Sequence, residues 1–431
     1  MPASEQKKIA IIGLGYVGLP LAIEFAKKYD VLGFDTNELR VAELKECTDK
    51  TKEADLAALK QVLNGAQVGA KTGLRLSGDI ETLKACNIYI VTVPTPIDGF
   101  KSPDLQPLLM ATEMLAKVLT KGDLVIYEST VYPGCTEEDC VPVLEKYSGL
   151  TYNVDFYCGY SPERINPGDK VNTLTKIKKV TSGSTPLIAE EVNALYAEII
   201  TAGTYLAPSI KVAEASKAIE NAQRDVNISF INELALIFDR MGIDTNDVLE
   251  AAATKWNFLK YKPGLVGGHC IGVDPYYLAY KSNALGYHPQ VILSGRQVNE
   301  NMGIFIANKV VKLILANGGK VKGERALILG FAFKENCPDI RNTRVIDIYR
   351  ELEQFGLELD IYDPWANADE VAREYNIQLE TQFEDKNYKA IIVAVAHQEF
   401  LTIDYKKFKA QGSVIFDIKS FIDRELVDAR L

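Results

Sequence analysis

Cys270 stands in the stretch GGHCIGVDP, residues 267–275, with His269 before it and Asp274 four residues on. Glycines at 264, 267, 268 and 272 expose the local backbone and permit unusual dihedrals. A thiol so placed has three readings. It is a small packed hydrophobe, a metal ligand, or a nucleophile whose pKa a neighbouring histidine lowers. A second pair lies upstream in ASKAIENAQRDVN, where Lys217 and Asn221 are spaced i and i+4 and so share one helix face. A lysine on a helix is ordinarily a solvated charge. Here Ala215, Ala218 and Ala222 would let another element approach it closely.

A third constellation lies at the N-terminal end. In G-L-G-Y-V-G, Gly13 permits a tight turn, Gly15 a close approach of pyrophosphate to the backbone, and Gly18 close packing of helix on strand. Tyr16 and Val17 lie inside this turn, where the helix N-terminus favours phosphate charge. Asp35 follows at the end of the next strand, placed to bind a ribose 2′-hydroxyl and repel a 2′-phosphate. This selects NAD over NADP. Arg40 is placed to stack on adenine or to sit in solvent. Pro94, Thr95, Ser129, Thr130 and Glu163 fall at the carboxyl ends of later strands, where ligands bind in open α/β sheets.

These residues need a scaffold, and the chain supplies a long one. Its 431 residues suggest two or three domains, and 47% hydrophobic with 25% charged residues is an ordinary globular mix. The net charge of −10 argues against a nucleic-acid surface. Cysteines 47, 86, 135, 140, 158, 270 and 337 form no C-x-x-C pair, and there are three histidines, so neither a structural zinc site nor any other metal is expected. Free thiols in a reducing cytoplasm fit best. Lys7-Lys8 and the apolar run after them look superficially like a signal peptide, but the run continues as strand and helix without a cleavage site. Other apolar runs, such as AIIVAVA at 390–396, are far short of the ~20 residues of a membrane helix.

Short apolar strands alternate with helices from residue 8. Strands are expected at 8–12, 31–35, 88–94, 124–130, 156–162 and 178–184, with helices over 17–29, 104–119, 136–147 and 186–200. From Ser209 to Met241 no proline or glycine occurs and apolar residues recur at helical spacing. This predicts one helix long enough to bridge domains or pair with a partner subunit. Helix over 245–254, an irregular loop over 257–275 and helix over 289–316 follow. A second series then begins: strands at 324–330, 357–364, 389–396 and 413–419, and a helix over 343–356. The fold class expected is α/β, two Rossmann-like doubly wound parallel-sheet domains joined by a helical middle with one long central helix. The division is 1–203 for NAD, 204–316 for the helical dimerisation part with the cysteine loop, and 317–431 for the substrate nucleotide.

Several stretches together carry a resemblance: GLGYVGLP, VPTP at 93–96, EST at 128–130, SPERINPG at 161–168, SKAIENA at 216–222, GGHCIGVDPYYL at 267–278 and GFAFKENCPDIRNTR at 330–344. In this order and spacing, over nearly the whole chain, the sequence resembles the nucleotide-sugar 6-dehydrogenases, the UDP-glucose/UDP-mannose dehydrogenase family. The SPERINPG form and the histidine before the cysteine look like the bacterial branch that acts on UDP-N-acetylhexosamines in surface-polysaccharide synthesis. The substrate implied is UDP-N-acetylglucosamine or its galacto epimer. The reaction implied is a four-electron oxidation of C6 to a carboxylate with two NAD. It explains the thiol, because a cysteine adduct of the intermediate aldehyde can be oxidised again and then hydrolysed.

By motif match Cys270 is the nucleophile, Lys217 and Asn221 stabilise an oxyanion, Asp274 orients a water or Lys217, and Glu163 activates water and contacts substrate. The resemblance also implies Lys334 as a ligand of the UDP phosphates and Phe333 as a substrate-binding residue. It implies Arg341 as a residue reaching the cofactor, and Arg164, Asn257, Tyr261, Gly264, Gly267 and Gly268 around the sugar nucleotide. A homodimer through the long helix is implied as well. Pro167 stands where the UDP-glucose branch has a second acid, and His269 replaces a tyrosine-like residue of that branch. Both weaken a UDP-glucose assignment. UDP-N-acetylmannosamine and UDP-glucose remain alternative substrates. A single-hydride enzyme of the 6-phosphogluconate or hydroxyacid type and a non-catalytic nucleotide-sugar sensor are the competing readings. The intact set of Lys217, Asn221, Cys270 and Asp274 speaks against the sensor.

Overall fold

The computed structural model describes residues 7–51, 53–66, 71–165, 171–268 and 271–431. His269, Cys270 and Pro167 lie outside the described residues. The chain divides into two compact units. The first comprises residues 1–220 with 276–286, and the second 221–275 with 287–431.

The first unit carries β1 (Lys8–Ile12), α1 (Gly18–Ala26), β2 (Asp30–Phe34), α2 (Glu38–Lys45), α3 (Leu56–Asn64), β3 (Gly73–Ser77), β4 (Ile88–Val91) and α4 (Gln106–Ala116). It continues with β5 (Leu124–Tyr127), α5 (Val141–Ser148), β6 (Tyr157–Tyr160), β7 (Lys179–Gly183), α6 (Pro186–Ala197) and β8 (Thr204–Leu206). The eight strands form one sheet in the order β3-β2-β1-β4-β5-β6-β7-β8. Strands β4 and β5 are buried at every position, as expected of a sheet covered on both faces. Ile9, Ile11, Ile88, Ile90, Leu124 and Ile126 alternate onto one face and pack with Leu19, Ala22, Ile23 and Phe25 of α1. The strand order reverses between β1 and β4, the kind of position at which open α/β sheets bind ligands beyond the carboxyl ends of their strands. The sheet departs from the purely parallel expectation at one seam, where β6 and β7 pair antiparallel.

Helix α7 (Ile210–Met241) is 32 residues of unbroken helix, about 48 Å at ~1.5 Å per residue. Its neighbours in sequence are α8 (Thr245–Ala252), α9 (Asp274–Ala284) and α10 (Gln290–Ala316). The described residues of the expected loop over 257–275 are irregular up to Val273, and helix α9, which no expectation covered, begins at its end. The chain becomes helical at Asp274, whose carboxylate sits in the first turn where the helix dipole favours it.

The second unit contains β9 (Arg325–Leu329), α11 (Val345–Gln354), β10 (Glu358–Tyr362), α12 (Ala368–Tyr375), β11 (Ala390–Val393), α13 (Tyr405–Ala410), β12 (Val414–Asp417) and β13 (Ala429–Arg430). Its five strands are all parallel, in the order β10-β9-β11-β12-β13. Period-two alternation splits their side chains between two cores. Ala326, Ile328, Ala390, Ile392, Val414 and Phe416 pack with α10 and α11, while Leu327, Leu329, Ile391, Val393 and Ile415 pack with Phe400, Tyr405 and Phe408. Here too the order reverses at the first strand, between β9 and β11. Among the described residues no helix is long and apolar enough to cross a membrane. The described cysteines are free thiols: Cys86, Cys135, Cys140, Cys158 and Cys337 are buried, and Cys47 is half-buried.

Candidate functional site

The glycine turn of the first unit is built as its spacing requires. Gly13 has φ +94°, open to glycine and strained for other residues. A Cβ on Gly18 would stand 1.9 Å from the Gly13 carbonyl oxygen and 2.4 Å from Thr92 Oγ1, so only glycine lets α1 approach β1 and β4 this closely. A Cβ on Gly15 would meet no atom within 4 Å. Val17 caps α1 without a side-chain hydrogen bond, and the first turn carries no acid. The turn therefore offers accessible backbone and a helix N-terminus to a phosphate, which fits a dinucleotide.

Asp35 braces this turn. One carboxylate oxygen accepts from Leu14 N at 2.8 Å and the other from Asn37 N at 2.9 Å. Arg40 is neither solvated nor free to swing, because its Nε donates to the Leu14 carbonyl and its terminal nitrogen to Asp49 at 2.8 Å. Burial would raise the Asp49 carboxyl, but hydrogen bonds from Ala54 N, Arg40 and Thr51 hold it below the usual range. Tyr16 lines a cavity of about 240 Å³ with Pro20, Ile165 and Leu174.

The later strand ends interlock. Ser129 Oγ donates to the Val93 carbonyl at 2.6 Å, Thr95 Oγ1 to the Thr130 carbonyl at 2.6 Å, and Tyr277 Oη to the Thr95 carbonyl at 2.8 Å. Pro94 is exposed beside them. Beyond β6, Glu163 is nearly buried. Its Oε1 accepts from Arg164 N at 2.5 Å and from Ile165 N, and its Oε2 lies 3.5 Å from Lys179 Nζ. Arg164 is held by Glu220 at 2.5 Å and by the Lys178 carbonyl.

Lys179 is a functional candidate that residue types did not reveal. It is fully buried on β7, with its Nζ 2.6 Å from Glu128 Oε2 and 5.4 Å from the Tyr196 ring centroid. Tyr196 Oη donates to the other oxygen of Glu128. Burial lifts the Glu128 carboxyl to about 7 despite the ammonium beside it. Burial alone would lower Lys179, but the carboxylates of Glu128 and Glu163 hold it above its ordinary value. The ion pair joins residues 51 apart, so no local pattern could announce it.

On α7, Lys217 and Asn221 are both buried. Asn221 Nδ2 donates to Asp274 Oδ2 at 2.6 Å, which brings two of the expected catalytic residues into contact. One turn before Lys217, Glu214 accepts from Gly134 N at 2.5 Å and Thr136 N at 2.9 Å. Burial lifts its carboxyl to about 7.

The second unit gathers most of the remaining expected residues. Asn232 clasps Gly264 at both backbone groups, accepting from its N at 2.8 Å and donating to its O at 3.0 Å. Asn232 also donates to Asn299, which donates to Asp225, the partner of the buried Arg296 at 2.7 Å. This chain fixes the loop to α7 and α10. Gly267 and Gly268 then pass so close to the 331–342 segment that a Cβ would meet Asn342 O at 2.5 Å and the Phe333 ring at 2.8 Å, respectively. Lys334 Nζ lies over the Phe333 ring at 5.8 Å. Asn257 is exposed and Tyr261 half-buried at the start of this loop. Arg341 is forked onto Asp339, with its Nε 2.9 Å from one carboxylate oxygen. Among the described residues no three His, Cys, Asp or Glu side chains are grouped to hold a metal.

Comparison with known proteins covers nearly the whole chain. Residues 7–200 match the NAD binding domain of the UDP-glucose/GDP-mannose dehydrogenase family, residues 211–301 its central domain, and residues 327–424 its UDP binding domain. The chain is 56% identical over 427 residues to a UDP-N-acetyl-D-glucosamine 6-dehydrogenase of Pseudomonas aeruginosa, covering 98% of this chain and 99% of that protein. It is 54% identical over 430 residues to a protein of the same name from Salmonella typhi, covering 99% of each. The structure is similar to that of a UDP-D-ManNAc dehydrogenase from Pyrococcus horikoshii, with a TM-score of 0.88 and 30% identity over 98% of both chains.

Proposed function

Because the chain belongs to the UDP-glucose/GDP-mannose dehydrogenase family, we propose that it oxidises C6 of a UDP-N-acetylhexosamine from alcohol to carboxylate. UDP-N-acetylglucosamine is the first choice of sugar. The observation that carries this choice is the full-length likeness to two proteins named for that substrate.

NAD is the hydride acceptor, taken up twice per sugar, and would be held by Gly13, Gly15, Tyr16, Val17, Gly18 and Asp35. Pro94, Thr95, Ser129 and Thr130 border it, and Arg341 reaches toward it. Residues 1–203 form its domain, 204–316 the catalytic and dimerising middle, and 317–431 the UDP domain. The chain's own work starts at the aldehyde that the first oxidation leaves. The Cys270 sulfur bonds to C6, and the aldehyde oxygen takes a proton, giving a thiohemiacetal. Loss of hydride and a proton then leaves a thioester. Water attacks C6, the C–S bond breaks, and the carboxylate leaves while the thiol is restored. Lys217 and Asn221 steady the negative oxygen in each tetrahedral stage. The Asn221–Asp274 hydrogen bond supports this role, because it aims the amide and keeps a carboxylate close by for proton transfer. Glu163, pinned by two backbone N–H groups, activates the water. Phe333 and Lys334 hold the UDP, with Arg164, Asn257, Tyr261, Gly264, Gly267 and Gly268 around the sugar nucleotide.

The enzyme works in the cytoplasm, in surface-polysaccharide synthesis, as a homodimer. Val212, Ile219, Phe230, Ile237 and Met241 support the dimer, since they are exposed along α7 at spacings that keep them on one stripe. Turnover with UDP-N-acetylglucosamine should yield NADH and uronic acid in a ratio of two to one. Cys270→Ser should abolish acid formation while NAD binding survives. A ratio of one, or unchanged acid formation in the serine variant, refutes the covalent route and favours the single-hydride reading.

A further inference from the structure

The turn after β9 carries Phe333 and Lys334, and it is held by two residues outside the reaction just described. It opens at Gly330, with φ +93°, and ends at Asn336, with φ +53°. Asp363, at the carboxyl end of β10, accepts from Phe331 N at 2.6 Å and Ala332 N at 2.9 Å with a single oxygen, Oδ2. Its other oxygen accepts from Trp365 N at 2.7 Å and Ala366 N at 2.9 Å. His397, after β11, is completely buried and touches Asp363 Oδ2 through Nε2 at 3.2 Å. At the far end of the turn, Asn336 N donates to His397 Nδ1 at 2.9 Å.

These contacts fix the histidine's chemistry. A backbone N–H can only donate, so Nδ1 must accept and the ring proton sits on Nε2, from which it is given to Asp363. The ring cannot rotate away. Trp365 stacks on it at 6.4 Å and 18°, and Phe400 meets it edge-on at 5.3 Å. Both ends of the turn are therefore tied to one bonded unit, one end by Asp363 and the other by His397. The first unit has only half of this arrangement. There Asp35, at the corresponding end of β2, accepts from Leu14 N in the turn after β1, and no histidine closes the other end.

We infer that His397 and Asp363 are positioning residues for substrate, a clamp that holds the 331–336 turn in the shape that presents Phe333 and Lys334 to the nucleotide diphosphate. The inference rests on the reading of that turn as a UDP contact. Neither residue touches the reacting atoms. A turn that loses a buried backbone partner at one end relaxes to find another, and Lys334 moves with it.

The test uses the full-length enzyme with UDP, UDP-N-acetylglucosamine and NAD. His397→Phe fills the space and makes neither bond. His397→Gln keeps a donor within reach of Asp363, and His397→Asn keeps an acceptor near Asn336 N. His397→Phe should weaken UDP, by calorimetric Kd and by KM of the sugar nucleotide, about tenfold. The KM for NAD should stay within about twofold of the parent, and the glutamine or asparagine variant should recover part of the loss. If the phenylalanine variant does not fold, the other two should still weaken UDP without moving the KM for NAD. An unchanged Kd in every soluble variant overturns the clamp, as does an equal change in both KM values. Lys334→Ala separates the two levels. If it leaves the UDP Kd unchanged, the UDP reading of the turn fails and the clamp falls with it. If it weakens UDP while the His397 variants do not, the clamp alone fails.

Discussion

Replacing Lys179 by methionine should have a cost that grows with pH. The side chain keeps its length, so packing on β7 changes little, but the ammonium 2.6 Å from Glu128 and 3.5 Å from Glu163 is lost. Both carboxylates are almost fully buried, and Glu128 already titrates near 7 because of burial, with the lysine in place. Without the lysine its folded pKa must rise further. A carboxyl raised in the folded state contributes stability that is fully present below its unfolded value, ordinarily about 4.5, and lost as pH rises through the folded value. At pH 5 Lys179→Met should therefore be destabilised only slightly. Because the parent's own Glu128 titrates near 7, the two proteins part only above that pH, and the deficit should reach about 1.4 kcal/mol by pH 8, one pH unit of a single proton's linkage. Urea midpoints measured from pH 5 to 8 on the parent and the variant give the comparison. Adding Glu128→Gln should remove most of the pH dependence while leaving Tyr196 an acceptor. A deficit constant across pH 5–8, or a double variant no better than the single, would refute the electrostatic account and leave only lost packing.

Gly15 and Gly18 should respond in opposite ways to alanine. Gly18→Ala places a methyl 1.9 Å from the Gly13 carbonyl oxygen and should lower the thermal midpoint of the whole enzyme. Gly15→Ala meets no atom, so the midpoint should hold while the KM for NAD rises about tenfold and that for the sugar nucleotide does not. An unmoved KM for NAD would contradict the cradle. The double variant Phe230→Asp with Ile237→Asp puts charge on the exposed stripe of α7. It should shift the mass by light scattering from twice 47.7 kDa to about 47.7 kDa, and a dimer that survives it would rule this stripe out as the contact.

The elements most legible in the sequence were those whose cause is local. KIAII, IYIV and LVIY are strands because parallel-sheet burial demands continuous apolar runs, and α7 is one helix because nothing from Ser209 to Met241 breaks it. Gly13, Gly15, Gly18 and Asp35 were readable because their spacing encodes a turn and a strand end. Short elements escaped. Strand β8 is three residues long, and α2 shows little apolar periodicity and depends on its Asn37 cap. Helix α9 was hidden because its tyrosine-rich DPYYLAYKSNA lacks a distinct apolar face. The polar networks were not legible at all. Glu128 meets Lys179, Asn232 meets Gly264 and Asp363 meets His397 only after the chain has folded, and each residue taken singly looks like an ordinary surface side chain.

The buried cysteines bear on how selectively this protein meets electrophiles. Burial pushes the Cys86 thiol up to about 12 and Cys158 well up as well, while Cys135 is raised first by its hydrogen bond with Cys140 and then by burial. A thiol attacks alkylating agents and peroxides as the thiolate, so these sulfurs are shielded twice, by access and by charge. An enzyme that makes a covalent bond to carbon through one sulfur gains from this silence. Cys86, Cys135 and Cys158, unlike the half-buried Cys47, would be poor traps for a stray aldehyde. The fold thus edits the reactivity of its own cysteines, using the same packing that holds its sheets together.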